Sequence, residues 1–245
     1  MKKICIIGLG NMGTAMMEAL KKTDEFEVFG FDRNENGQDL LAKAEVVILA
    51  IKPQDFEEAA GGLNFSGKLV ISIMAGISIA KIKEKIKCEK VIRVMPNLPL
   101  KVGQSLSGWF CDAAIGQNEK EVVKNILKSF GEEIEVDEEN KINAITALSG
   151  SGPAYFFYLC ELMQKAAEKY GFSREEAEKI ALNTFFGSAK LLENEKISAE
   201  EMRWKITSKG GTTHAAISYL EGNDFEKIFI EAIEKAFIRA KELNG

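Results

Sequence analysis

The sequence predicts an α/β half followed by an all-α half, and three observations carry that prediction. Short unbroken apolar runs alternate with helix-periodic segments through the first 130 or so residues. A glycine-rich turn closes the first of these runs. Beyond an acidic stretch at residues 132–139, almost only helical periodicity remains. Unbroken apolar runs mark strands buried on both faces, and strands separated by helices form βαβ units with a parallel sheet.

Taken in order, residues 4–8 form the first strand. Residues 26–32, 46–51, 69–74 and 90–94 are similar runs, and 105–111 is an additional strand. Helical patterns fill 12–20 and 79–85. In residues 119–130, Val122, Val123, Ile126, Leu127 and Phe130 share one face, and Gly131 is a natural stop. Ala177, Ile180, Ala181, Phe185, Ala189 and Leu192 recur at helical spacing, as do Phe225, Ile228, Phe229, Ala232, Ile233, Ala236 and Phe237. Residues 155–163 are apolar nearly all round, so that helix needs cover on most sides, and a partner subunit is the simplest cover. The domain boundary is placed between residues 138 and 139, giving domains 1–138 and 139–245.

Composition narrows the function. The 245 residues are 46% hydrophobic and 28% charged with a net charge of −5, so the chain reads as an ordinary globular protein without the basic face of a nucleic-acid binder. The four cysteines are widely spaced and form no C-x-x-C pair, which excludes a disulfide frame or a zinc site and points to a reducing compartment. No apolar span is long enough for a membrane helix. No metal is expected.

The motifs lie where an α/β sheet binds ligands. Gly8-Leu9-Gly10-Asn11-Met12-Gly13 joins the first strand to the first helix. Gly8 makes the tight turn, Gly10 admits a pyrophosphate, and Gly13 lets the helix pack on the strand, as in a Rossmann dinucleotide site. Asp32 ends the second strand and suits the ribose hydroxyls of NAD, whereas the adjacent Arg33 suits the 2′-phosphate of NADP. Lys52-Pro53-Gln54 follows the third run, and Lys52 reads as a catalytic lysine, a cofactor contact or a surface group. Met95-Pro96-Asn97 ends the fifth, with Asn97 in reach of the nicotinamide ribose. The small-residue segment from Thr146 to Tyr155 is a site for close approach or an interdomain hinge. Thr207-Ser208-Lys209-Gly210-Gly211-Thr212-Thr213 opens a late helix far from any turn needing two glycines. Its N–H groups and hydroxyls suit a small carboxylate. The single histidine, His214, follows, but adjacent helix positions do not face each other and it receives no acid–base role.

These segments together resemble the Δ1-pyrroline-5-carboxylate reductase family, in the family's order over essentially the whole chain. The resemblance implies an N-terminal Rossmann-like domain, an all-α C-terminal dimerisation domain and NADPH or NADH as cofactor. The activity implied is reduction of the cyclic imine to L-proline, the last step of proline biosynthesis, in a homo-oligomer of at least two chains. It places the substrate carboxylate on Ser208, Gly210, Gly211, Thr212 and Thr213, and makes Thr146 the partner or water-mediated proton donor of the ring nitrogen. Three departures stand out. Only 13 residues separate Asp32 from Val46, so one strand of the usual sheet is missing. Lys209 replaces a common proline, and Leu98 a usual threonine. A 3-hydroxyacid-type dehydrogenase using Lys209 or Lys141, and a redox-inactive NAD(P)-binding regulator, are the alternatives.

Overall fold

The first apolar run becomes strand β1 (Lys2–Ile7), and its pleat divides the side chains between two cores. Ile4 and Ile6 enter one, Cys5 and Ile7 the other. The same division recurs in β3 (Val46–Leu49), where Val46 and Ile48 oppose Val47 and Leu49, and in β4 (Leu69–Ser72) and β5 (Val91–Met95). Both faces are covered, so these strands show no polar alternation, and Ser72 in β4 and Arg93 in β5 are the buried polar residues among them. The computed structural model describes residues 1–32 and 37–243.

Helices α1 (Asn11–Lys21) and α5 (Gln117–Lys128) cover the first face with Ala15, Met16, Leu20, Val123, Ile126 and Leu127. Helices α2 (Gln38–Lys43), α3 (Phe56–Ala60) and α4 (Ile79–Ile86) cover the second, chiefly through Leu41, Phe56, Ile79 and Ile82. The sheet runs β2-β1-β3-β4-β5-β6-β7, with β2 at Phe26–Phe31, β6 at Ser105–Cys111 and β7 at Gly131–Glu135. Between β2 and β3 the described residues hold only α2, and β2 is the edge of the sheet. The sheet is shortened there, as the short segment predicts.

Two strand expectations are corrected. The sheet is not wholly parallel: β6 runs antiparallel to β5, with Ile92 opposite Cys111 and Met95 opposite Gly108. The connection is a 3₁₀ turn (Leu98–Val102), shorter than the dozen or so residues a parallel crossover needs. The acidic stretch also begins with a strand. β7 pairs with β6 along one side only, and its glutamates serve neighbours: Glu133 accepts from the Trp109 Nε1 at 2.6 Å and Glu135 binds Lys120. An edge strand with charged side chains lacks the apolar pattern that identifies a buried one. Gly131 starts this strand and does not end α5.

After α6 (Lys141–Ile145) and a π turn (Thr146–Gly150) the chain is helical: α7 (Gly152–Lys169), α8 (Arg174–Glu195), α9 (Ala199–Lys205), α10 (Thr212–Gly222) and α11 (Phe225–Glu242). Ser173 with Glu176, and Ser198 with Glu201, form reciprocal caps that fix the starts of α8 and α9. Two compact units result, Met1–Pro153 with Glu234–Gly245, and Ala154–Ile233. The expected boundary at 138/139 falls inside the first. Among the described residues of the second unit only Ala167, Ala177 and Ala181 are buried, while Phe157 and Phe186 are 65% and 69% exposed. No described helix is long and apolar enough to cross a membrane.

Candidate active site

The carboxyl ends of the parallel strands are the ligand edge of such a sheet, and there the β1–α1 turn is built by backbone demands. Gly8 has φ +95°, and a Cβ on it would lie 2.7 Å from the Ala50 carbonyl oxygen. A side chain at Gly13 would strike the Gly8 carbonyl. Gly10 faces open space, and α1 begins after it with no side-chain cap, leaving the first-turn N–H groups of Asn11, Met12 and Gly13 to a ligand. Oriented donors with room before them fit a pyrophosphate. Asp32 follows β2 and is exposed. Arg33 lies outside the described residues. Lys52 is exposed at the end of β3, where its carbonyl accepts from Asp55 N at 2.9 Å and opens a 3₁₀ turn with Pro53 in first position.

A cleft of about 310 Å³ opens at the end of β5 and is lined by Met12, Ile73, Met95, Asn97, Thr146 and Ser151 among others. It brings Met12 of the glycine-rich segment, Asn97 and Thr146 together; neither Asp32 nor Lys52 lines it. Asn97 is held on two sides. Its Nδ2 donates to Ser149 Oγ at 3.0 Å, and its backbone N–H donates to Ser105 Oγ at 3.3 Å. Ser149 in turn donates to the Leu106 carbonyl at 3.2 Å. The Asn97 Oδ1 is buried and has no protein partner, so a donor is wanted from a ligand. Leu98 also lines the cleft, where it supplies an apolar surface. The Thr146 hydroxyl donates to the Ile142 carbonyl at 2.8 Å. Its one proton is engaged there, and its lone pairs remain to accept.

The chain around Thr146 departs from α-helical hydrogen bonding. Ser151 N donates to the Thr146 carbonyl at 2.8 Å, five residues back, so one π turn joins α6 to α7. π turns of this kind gather at functional sites. Sequence does not single out Ser105 or Ile73, and marks Ser149 only as part of the segment from Thr146 to Tyr155, since each is ordinary until the fold brings it to Asn97 or to the cleft.

In the second unit the segment from Thr207 to Thr213 is itself a turn. Gly210 has φ +76°, Gly211 N donates to the Ser208 carbonyl at 3.0 Å, and a Cβ on Gly211 would lie 2.5 Å from Ser208 Oγ. The glycines therefore do serve a turn, which corrects the sequence reading. Thr207 Oγ1 donates back to the Arg203 carbonyl at 2.6 Å and closes α9. Gly211 precedes α10 without a side-chain cap, so Thr212 and Thr213 begin a helix with open N–H groups. Ser208, Lys209, Gly210, Thr212 and His214 are exposed in the single chain.

Comparison with known proteins decides the family. A reductase from Haemophilus influenzae, named pyrroline-5-carboxylate reductase, is 35% identical, the match covering 99% of this chain and 97% of that one. The chain belongs to the pyrroline-5-carboxylate reductase family. The relative of that name from Aquifex aeolicus is 34% identical, with 98% of this chain and 97% of that one covered. A family model described as pyrroline-5-carboxylate reductase dimerisation matches residues 139–243, and one described as NADP oxidoreductase, coenzyme F420-dependent, matches residues 3–76. The crystal structure of pyrroline carboxylate reductase from Plasmodium falciparum, with NADP bound, superposes with a TM-score of 0.91 at 27% identity, covering 100% of this chain and 98% of that one. The enzyme from Streptococcus pyogenes gives 0.88 at 31% identity, with 98% of each chain covered.

Proposed function

We propose that this chain reduces Δ1-pyrroline-5-carboxylate to L-proline with NADPH or NADH. The observation that carries the reading is near-full-length similarity to reductases of that name, supported by a cleft where Met12 of the glycine-rich segment, Asn97 and Thr146 converge. Gly8, Gly10, Asn11, Met12 and Gly13 hold the pyrophosphate on the start of α1. Asp32 would take the adenosine ribose hydroxyls and Arg33 a 2′-phosphate, Lys52 and Pro53 would flank the cofactor, and the buried, unpartnered Asn97 Oδ1 would accept from a hydroxyl of the nicotinamide ribose. A bound nicotinamide supplies the hydride. The protein supplies position and a proton. The carboxylate rests on Ser208, Gly210, Gly211, Thr212 and Thr213, whose N–H groups and hydroxyls, at and before the start of α10, stabilise its charge without an arginine.

The imine carbon gains the hydride pair and the ring nitrogen gains a proton. Thr146 serves that nitrogen as hydrogen-bond partner. Because its own proton points at Ile142, its lone pairs hold a water that gives a proton to the nitrogen and regains one from solvent. In sequence the dinucleotide half, 1–138, gives way to the substrate-binding and dimerisation half, 139–245, where the dimerisation family model begins, although residues 139–153 and 234–243 belong to the first compact unit of the fold. The four thiols are unpaired, which suits a cytoplasmic enzyme. The lysine-based dehydrogenase gains nothing from Lys141, which pairs with Asp137 and does not line the cleft. The test is direct: pyrroline-5-carboxylate mixed with enzyme and NADPH or NADH should make the absorbance of the reduced nicotinamide fall. No fall with either cofactor would end the reading.

A further inference from the structure

The walls of the cleft come from separate parts of the chain, among them residues 95–98 at the end of β5 and Thr146, Gly150 and Ser151 at the π turn that follows α6. One buried cation ties them. Arg93, in the middle of β5, is 1% exposed. Its Nη2 donates to Asn143 Oδ1 at 3.0 Å and its Nη1 to Glu139 Oε1 at 3.2 Å. The same Glu139 oxygen accepts from the Ile79 N–H at 2.8 Å, at the start of α4. Asn143 also donates to Asn140 Oδ1 at 3.1 Å, and it adjoins Ile142, whose carbonyl receives the Thr146 hydroxyl. The Arg93 Nε has no partner. Burying a guanidinium with one N–H unsatisfied is costly, and an apolar residue would fill this strand position more cheaply. Stability therefore does not explain the residue, whereas a planar fork that fixes two acceptors at a set spacing does.

We propose that Arg93 is a positioning residue for the reduction: by gripping Asn143 and Glu139 it sets α6, and with it the Thr146 hydroxyl, against the Met95–Asn97 wall. Lysine cannot substitute, since a single ammonium lacks the fork. The role assigned to Thr146 is the reading this inference rests on, and the experiment separates the two.

The variants are Asn143→Leu, which leaves the Arg93–Glu139 pair intact, Arg93→Lys, Thr146→Ala, the double variant of Asn143 and Thr146, and Val123→Ala as a core truncation in α5. Each is measured for kcat, for both KM values, for NADPH affinity by nicotinamide fluorescence and for Tm. Asn143→Leu and Arg93→Lys should lower kcat about tenfold or more, since ångström-scale misplacement carries such losses, while NADPH affinity stays within about twofold. In the double variant the two effects should fall well short of multiplying. Hydrogen exchange at the Ser151 amide, which closes the π turn, should quicken in Asn143→Leu. Val123→Ala should lose Tm and keep kcat. If Asn143→Leu loses no more kcat than Val123→Ala, or weakens cofactor and substrate binding alike, the positioning role is overturned. If Asn143→Leu loses kcat while Thr146→Ala does not, Arg93 positions the wall and the assignment of Thr146 is what fails. Should Arg93→Lys not fold, Asn143→Leu decides alone.

Discussion

Thr213 and His214 are neighbours in the first turn of α10, and chemistry separates them. An anchor of the substrate carboxylate should matter to binding, and a histidine facing elsewhere should not. Thr213→Ala should raise the KM for pyrroline-5-carboxylate about tenfold, from the ~1.5–3 kcal/mol of a hydrogen bond to a charged group. The cofactor KM should hold, and His214→Ala should keep kcat within about threefold of the parent. Steady-state kinetics on the two variants checks this, and the reverse pattern would remove the carboxylate cradle. Residues whose duty is a backbone demand were legible in sequence. Gly8 and Gly13 announce themselves because no other residue fits the turn and the helix contact. The hold on Asn97 was not legible. Its Ser149 partner stands 52 positions away, and nothing in either residue's surroundings foretells the pairing. The glycines at 210 and 211 were noticed but explained by the ligand alone, when the turn also needs them.

At the scale of elements, strands buried on both faces were readable and the edge strand was not, because only burial writes an apolar run. The direction of β6 was missed for a different reason: periodicity finds strands but not their polarity, although the short connection between runs 90–94 and 105–111 leaves no room for a parallel crossover. The π turn was invisible too, since one extra residue per turn barely disturbs a helical pattern. β1 carries a consequence for pH. Its Cys5 is fully buried, and burial pushes the thiol up to about 12 from 9.0. Well below pH 9.0 the thiol keeps its proton folded or unfolded, so the contribution of the buried neutral thiol is fully present and does not change with pH. Above that, the unfolded chain ionises while the folded one holds its proton, so this contribution is lost as pH rises from 9.0 toward about 12. Urea unfolding at pH 8 and at pH 10 should show a smaller alkaline loss in Cys5→Ala than in the parent. Equal slopes would mean the Cys5 site does not hold its proton. A thiol reagent at pH 8 should leave Cys5 unmodified until the protein unfolds.

For the molecule as a whole, the second unit presents aromatic side chains where a free-standing domain would have a core. Phe156, Phe157, Tyr158 and Phe186 are all more than half exposed. Such surface in an ordered helical bundle calls for a matching surface, and the family model for dimerisation spans these residues. Sedimentation at micromolar concentration should find a dimer or a larger assembly, with Phe157→Asp driving dissociation or loss of folding. A folded, active monomer would refute this. The division of α11 between the units has one more consequence, and it concerns time. Residues 234–243 complete the first unit, where Leu243 packs so closely on Gly76 that no side chain fits between them. On the ribosome those residues follow the entire helical unit. At about 10 residues per second the nucleotide-binding unit waits several seconds, unfinished, for the end of its own fold. Its open edge must stay safe from other nascent chains meanwhile, a task for which the charged β7 strand is well suited.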